Sequence, residues 1–229
     1  GSFKGRAGRS VSLRVQQSKL AGPEVLHVIP IKIDPGREWL DAQIKGSKVI
    51  ERKGVGVAYV PLFSCAGEQY REGLQESLGD TLRDARALVL DFRDGWGGCN
   101  PDFVNLFNGA VPVLTFIGRD GKAQRIDSQW RGPVVILINQ GTRSGKEVVS
   151  YALQKHGWAT LVGARSAGAV MGGRCFLLSD RSLLYLAVAD FRVNGRKLEG
   201  TGVKPDVEVK DDLPYAGGAD PQLEKALDV

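Results

Sequence analysis

The stretch from Gly132 to Gly168 constrains this chain more than any other. Its unbroken apolar run, Val134-Val135-Ile136-Leu137-Ile138, is too short for an ordinary helix and rich in β-branched residues, so it specifies a strand buried on both faces. Asn139, Gln140 and Gly141 end that strand. Apolar residues at 148, 149, 152 and 153 then follow at helical spacing, and Lys155, His156 and Gly157 supply a C-terminal stop. Thr142-Arg143-Ser144-Gly145 occupies the turn between strand and helix. A serine hydroxyl placed there lies at a helix N-terminus, where free N–H groups and the helix dipole favour developing negative charge. A simple N-cap is the plain alternative, and the rest of the chain decides between them.

The length of 229 residues allows one good-sized core, or one domain plus a fragment of another. A hydrophobic content of 42% with 25% charged residues is that of a globular protein. No apolar run approaches the roughly 20 residues of a membrane span. The formal charge of +5 is mild. Arg181, Arg192, Arg196 and Lys197 read as a solvated face, because no aromatics are interleaved with them to stack nucleic-acid bases. Cys65, Cys99 and Cys175 have no metal-ligand spacing, which argues against the common zinc sites and leaves at least one thiol outside any intrachain bridge. Gly1-Ser2 reads as a cloning remnant, and with no methionine or signal peptide ahead of the first strand pattern, the expectation is a piece of a longer protein.

Along the chain, Val11, Leu13 and Val15 alternate strictly, giving a half-buried strand with no partner expected nearby in sequence. Residues 25 to 33 alternate again and end at the turn signal Asp34-Pro35-Gly36. The core is expected to begin near Val49. Strands are predicted over 55–62, 87–90, 111–117, 159–162, 174–178 and 182–188, with helices over 68–83 and from Asn100-Pro101 to about Phe107. Asp120-Gly121 and Asn194-Gly195 read as hairpin turns, the first leading directly into the central strand. Strands alternating with helices at short intervals make an α/β layered domain.

Four segments, in order, resemble the C-terminal processing (tail-specific) serine peptidases and their tricorn-type relatives. They are Val55 to Val60; Leu88 to Gly98 (LVLDFRDGWGG), similar to the family's L-D-L-R-x-N-x-G-G; Val134 to Gly173; and Leu198 to Val207 (LEGTGVKPDV), similar to E-G-x-G-V-x-P-D. Residues 5 to 17 resemble the closing strand of a PDZ domain, so the likeness spans roughly residues 5 to 210. It implies a ClpP/crotonase-like core of packed sheets and helices. The organisation expected is a PDZ remnant over 1–21, a connecting segment over 22–48, a catalytic core over 49–212 and a tail over 213–229.

Carried over by position, the resemblance makes Ser144 the nucleophile and the backbone N–H of Gly145, with that of Gly97 or Gly98, the oxyanion donors. Glu199 matches a carboxylate that orients the catalytic apparatus in the tricorn-type branch. The chain departs from the pattern at several positions: Gly95 stands for the family's Asn in the second segment, and Arg143-Ser144-Gly145-Lys146-Glu147 stands for Ala-Ser-[AG]-[AS]-Glu in the third. Where the tail-specific branch carries a lysine general base, this chain reads Ser166-Ala167-Gly168-Ala169, and alanine takes up no proton. Lys146, two positions from Ser144 on the helix, should point away from it. His156 lies about 18 Å along the helix and reads as a C-terminal residue, and His27 reads as a half-buried strand residue. In the tricorn-type branch the base is a histidine on a segment ahead of the PDZ domain.

The expectation is therefore a serine endopeptidase core acting on polypeptides through acyl transfer at Ser144, inactive as this fragment for want of a base. No cofactor, metal, nucleic acid or membrane span is implied, the oligomeric state is open, and relatives place such proteins outside the cytoplasm. Two rivals stand beside it. One is a non-catalytic peptide-binding protein on the same fold; the other is a crotonase-type acyl-CoA enzyme, which shares a two-amide oxyanion hole.

Overall fold

The computed structural model of the chain describes residues 3, 5–18, 20–210 and 218–229. The central run forms strand β8 (Val134–Ile138), and all five of its residues are buried. It lies inside a six-stranded sheet with β3 (Lys48–Arg52), β4 (Val55–Pro61), β5 (Ala87–Asp91), β9 (Thr160–Gly163) and β14 (Val207–Glu208), in the order β14-β9-β8-β5-β4-β3. Every pairing in the sheet is parallel except β3 with β4. The alternation of a strand divides β8 between two apolar layers. Val134, Ile136 and Ile138 join one large core, and Val135 and Leu137 join a second with Val57, Val89, Val162 and Ala226. A parallel sheet needs cover on both faces, which is why its inner strands β5 and β8 are so apolar.

The first layer is covered by residues of α2 (Glu68–Gly79), α3 (Gly145–Lys155) and a 3₁₀ turn at Pro101–Phe107, whose N-cap Asn100 accepts from the Asp102 N–H as the Asn-Pro signal requires. The second is covered by α4 (Pro221–Asp228), through Leu223, Ala226 and Leu227. This helix lies in the segment expected as a tail. Asp220 caps it by accepting from the Leu223 N–H, with proline at the first helical position. The same Asp220 carboxylate accepts from Arg93, which also grips Asp91 at the end of β5. The Tyr59 hydroxyl donates to Asp91 at 2.8 Å. Arg93 therefore ties the end of β5, and the glycine-rich loop after it, to the cap of the helix that seals the opposite face.

Several sequence expectations are corrected. β1 (Val11–Val15) does have a near partner, the antiparallel strand β2 (Glu24–Val28). Asp34-Pro35-Gly36 is no turn but the start of α1 (Pro35–Gly46), since an aspartate followed by proline is also a helix N-cap, and Asp34 accepts from the Gly36 and Arg37 N–H groups. The segment expected to connect thus carries a helix after the alternating stretch that forms β2. A hairpin does form at Asp120-Gly121, but it joins β6 (Leu114–Ile117) to a strand that the residue pattern does not announce, β7 (Ala123–Ile126). Two further hairpins, β10 (Gly172–Leu177) with β11 (Leu183–Ala189) and β12 (Arg192–Val193) with β13 (Arg196–Lys197), stand off the sheet. The second of these turns at Asn194-Gly195, both with positive φ as a type I′ turn demands. No helix among the described residues is long and apolar enough to cross a membrane.

Cys65 and Cys99 form a disulfide between the loop after β4 and the glycine-rich loop after β5, and Cys175 is a free, exposed thiol. The bridge closes a loop with a sequence separation of 34 residues. Chain-entropy arguments put its contribution at about 3–4 kcal/mol. Under denaturing, non-reducing conditions the chain should titrate one thiol, and the Cys65→Ser/Cys99→Ser variant should lose stability of about that size in equilibrium unfolding. Three titratable thiols in the native preparation would contradict the pairing.

Candidate active site

Strands β5 and β8 are parallel neighbours, so the loops that leave their C-terminal ends meet at one sheet edge. The loop after β5 carries Gly95 to Cys99, and the loop after β8 carries Thr142 to Gly145. The junction is tight. A Cβ on Gly97 would fall 2.6 Å from the Ser144 Cβ and 3.1 Å from the Gly145 nitrogen, and one on Gly145 would fall 2.4 Å from the Cys99 nitrogen. Only glycine lets the two backbones approach this closely. No hydrogen bond from the N–H of Gly97, Gly98 or Gly145 to a protein acceptor is found among the described residues.

Ser144 is the N-cap of α3 and has φ 57° and ψ −130°. A non-glycine residue in that conformation is strained by about 1–3 kcal/mol, and such strain clusters where a side chain must be presented on a sharp turn. Two cavities open beside it. One of about 470 Å³ is lined by Gly98, Ser144, Gly145, Val148 and the β12–β13 hairpin. The other, of about 400 Å³, is lined by Gly97, Ser144, Ala169, Glu199 and by Tyr185 and Ala187 of β11.

The turn is held from below by a residue to which the sequence pattern alone assigns no role. Glu147, one turn into α3, is fully buried. Its carboxylate accepts from the Ser144 N–H at 3.1 Å, the Gly168 N–H at 2.7 Å, the Ala169 N–H at 2.9 Å and the Ser166 hydroxyl. The Ser166 oxygen accepts in turn from the Val203 N–H at 2.7 Å. Four donors and a helix N-terminus together replace the water that a buried carboxylate loses. A local signal does exist, in a glutamate three residues after the N-cap serine.

Ala169 sits directly at Ser144, its carbonyl accepting from the Ser144 N–H at 2.9 Å. Glu199 accepts from the Val170 and Met171 N–H groups at 2.7 and 3.1 Å, all through one oxygen. It thus pins the irregular segment between Ala169 and β10 along the wall of the second cavity.

The three other candidate bases lie elsewhere. His27 is exposed, not half-buried, and bonds the Ser12 hydroxyl in the β1–β2 hairpin. His156 ends α3 and stacks on Trp158. Lys146 turns away from Ser144, as its spacing requires, but into the core and not into solvent. Its ammonium donates to the Asp94 carbonyl at 2.8 Å and the Phe92 carbonyl at 3.5 Å. Burial pulls it down to about 8 against the opposing pull of Asp91 and Asp94. That value suits a lysine base, yet no hydrogen bond joins it to Ser144. Among the described residues, no cluster of histidine, cysteine, aspartate or glutamate could hold a metal ion.

The model of Peptidase family S41 matches residues 56–209, from β4 to just past β14. Tricorn protease homolog 1 of Streptomyces coelicolor is 29% identical over 235 residues, covering 97% of this chain and 21% of its own length. A carboxyl-terminal-processing protease of Synechocystis is 27% identical over 190 residues, 78% of this chain and 44% of its own. The chain thus spans less than half of either relative. Among solved structures, the tricorn protease superposes with a TM-score of 0.60 at 22% identity, over 97% of this chain and 22% of its own. The photosystem II D1 C-terminal processing protease does so with 0.55 at 22% identity, over 97% and 60%. These likenesses carry the fold. The family match takes in the two loops that meet at Ser144, the strands that bring them together and the Glu147 anchor beneath, and on that match the chain belongs to peptidase family S41.

Proposed function

We propose that this chain is the catalytic core of a serine endopeptidase that hydrolyses polypeptides by acyl transfer through Ser144. The observation that carries the reading is the meeting of the strained Ser144 turn with the Gly97 and Gly145 amides at one sheet edge, beside open cavities. The hydroxyl attacks the scissile carbonyl, and the N–H of Gly145 with that of Gly97 or Gly98 stabilises the tetrahedral oxyanion, each donor being worth about 10²–10³ in rate. Glu199 positions the wall of the substrate cleft. The Cys65–Cys99 bridge supports an oxidising, extracytoplasmic setting.

No side-chain base is hydrogen-bonded to the Ser144 hydroxyl among the described residues, and a serine hydroxyl is a weak nucleophile until a base takes its proton. The proposal assigns that role to a histidine outside the 229 residues. The 229-residue chain should then cleave casein little or not at all, a longer natural chain bearing that histidine should cleave it, and Ser144→Ala should abolish the cleavage. No cleavage by the longer chain favours the peptide-binding rival. Cleavage by the short chain, lost in Lys146→Met, makes Lys146 the base.

Lys146 also gives a test by pH. Its native value of about 8 lies below the 10.5 of the unfolded chain. The unfolded state therefore holds a proton that the native state has shed between those limits, and stability from this group rises with pH across that window. Lys146→Met should remove the rise in unfolding titrations from pH 8 to 10.5 while leaving turnover of the longer chain largely intact. An unchanged pH dependence would mean that the lysine is not buried as described.

Gly97→Ala and Glu147→Gln probe the two halves of the site separately. The alanine methyl would press on Ser144 and on the Arg143 carbonyl and force the two loops apart, so activity of the longer chain should fall by about 10² or more, with a loss of stability of about 1–3 kcal/mol as the turn shifts. Glu147→Gln sets an amide N–H₂ against N–H donors and should cost about 3 kcal/mol or more in stability. A fully stable Glu147→Gln variant would contradict the anchoring role.

A further inference from the structure

A third cavity lies farther along α3. It has a volume of about 500 Å³, and its walls include Tyr151, Lys155, Arg165, Arg196, Lys204 and Asp206. Four of these side chains are cationic and one is a carboxylate. The carboxylate is engaged, accepting from the Gln154 amide and the Leu161 N–H at 2.8 Å each. Lys204 faces Glu208 at 3.5 Å. The other three cations have no carboxylate partner among the described residues. Arg165 donates to the Thr201 carbonyl, leaving further N–H groups on its fork, and the Arg196 guanidinium rests over the Tyr151 ring at 5.5 Å. Stacking on a buried tyrosine fixes that guanidinium in place at little entropic cost. In sequence, Arg196 reads only as part of a solvated face.

The cavity shares two elements with the cleft at Ser144. Residues 144, 148, 151 and 155 follow one stripe of α3 and its cap, at spacings of four, three and four. Ser144 and Val148 line the first cleft, and Tyr151 and Lys155 line this cavity. The β12–β13 hairpin spans both as well, with Arg192 to Asn194 over the first and Arg196 over the second. At 1.5 Å per helical residue the cationic cavity begins roughly 10 Å from Ser144 and ends about 16 Å away. An extended peptide covers that distance in roughly three to five residues.

We propose that this cavity is a carboxylate-binding subsite for the polypeptide held at Ser144, with Arg196, Lys155 and Arg165 as its specificity-determining residues. The inference rests on the peptide-binding reading of the Ser144 cleft. The anion is either the terminal carboxylate of the polypeptide or an Asp or Glu side chain a few residues from the scissile bond, both presenting the same planar pair of oxygens to a guanidinium fork. If it is the terminal carboxylate, the subsite also measures the length of the released fragment.

The test is binding, and so needs no catalytic base. Fluorescein-labelled unstructured twelve-residue peptides would be titrated with the 229-residue chain by anisotropy, in low and high salt. One set ends in a free carboxylate or in an amide; a second, amidated, carries an internal Glu or Gln. The expected result is that one carboxylate form binds about tenfold more tightly than its neutral counterpart. Arg196→Gln/Lys155→Gln should remove that preference and leave binding of the neutral peptide unchanged, and Arg165→Gln should weaken it independently. Removing the same charge at Arg119 and Lys122, on the β6–β7 turn, should not. The set that shows the preference identifies the source of the carboxylate. Equal binding of charged and neutral peptides, or a preference as sensitive to Arg119 and Lys122 as to Arg196 and Lys155, overturns the subsite and leaves the peptide cleft standing. If no peptide of either set binds, the reading of the Ser144 cleft has failed, and the subsite with it.

Discussion

The buried carboxylate of Glu147 is the interaction on which the rest of the site depends. It accepts hydrogen bonds from the N-cap of its own helix and from the chain segment 166–169 that follows β9. Through Ser166 it reaches the segment of Val203. An unpaired carboxylate in such a position would cost several kcal/mol, so the three segments are held together or the charge is exposed. There is little middle ground, and this gives the Ser144 turn a single geometry. The strain in the Ser144 backbone is sustainable because its N–H is held by both the Ala169 carbonyl and Glu147.

A second layer of support works through the sheet. β5 and β8 place the glycine-rich loop and the serine turn side by side, and the Arg93 bridge from Asp91 to Asp220 ties the end of β5 to the helix that covers the far face. Cys65–Cys99 restrains the same loop from the other side. The close approach of Gly97 to Ser144 is thus fixed by a covalent bridge, a buried ion cluster and a pair of parallel strands. Oxyanion stabilisation asks for this arrangement, because donors that are already in place need no reorganisation when charge develops.

Much of this is legible in the residues. The run Val134 to Ile138 specifies a strand covered on both faces, and two apolar layers cover it. The serine turn and the glycine loop can be placed at one sheet edge because both come after buried strands. Other features are hidden for identifiable reasons. Asp34-Pro35 and Asp220-Pro221 carry the same chemistry as turns, and only the residues downstream of the proline distinguish a helix start. α4 is eight residues long, and its Leu223, Ala226 and Leu227 give only one turn of helical spacing, too short a stretch to stand out in the sequence. Glu147 stands three residues after the N-cap serine, but its bonds to residues 166–169, like the bond from Arg93 to Asp220, reach partners far away in sequence, and the local pattern does not reveal that the carboxylate will be buried. For Lys146 the spacing gives the direction and not the environment, since it fixes the face of a helix but not the groups that pack against it.

The claim at the centre of this account is that Ser144 and the amides of Gly145 and Gly97 or Gly98 form one acyl-transfer site. A crystal structure of the chain with a peptidyl boronic acid tests it most directly. The account predicts a tetrahedral boron bonded to the Ser144 Oγ, with one boronate oxygen within hydrogen-bond distance of the Gly145 nitrogen and of the Gly97 or Gly98 nitrogen. A boronate bound elsewhere, or bonded to Ser144 with both oxygens turned away from those amides, would contradict it.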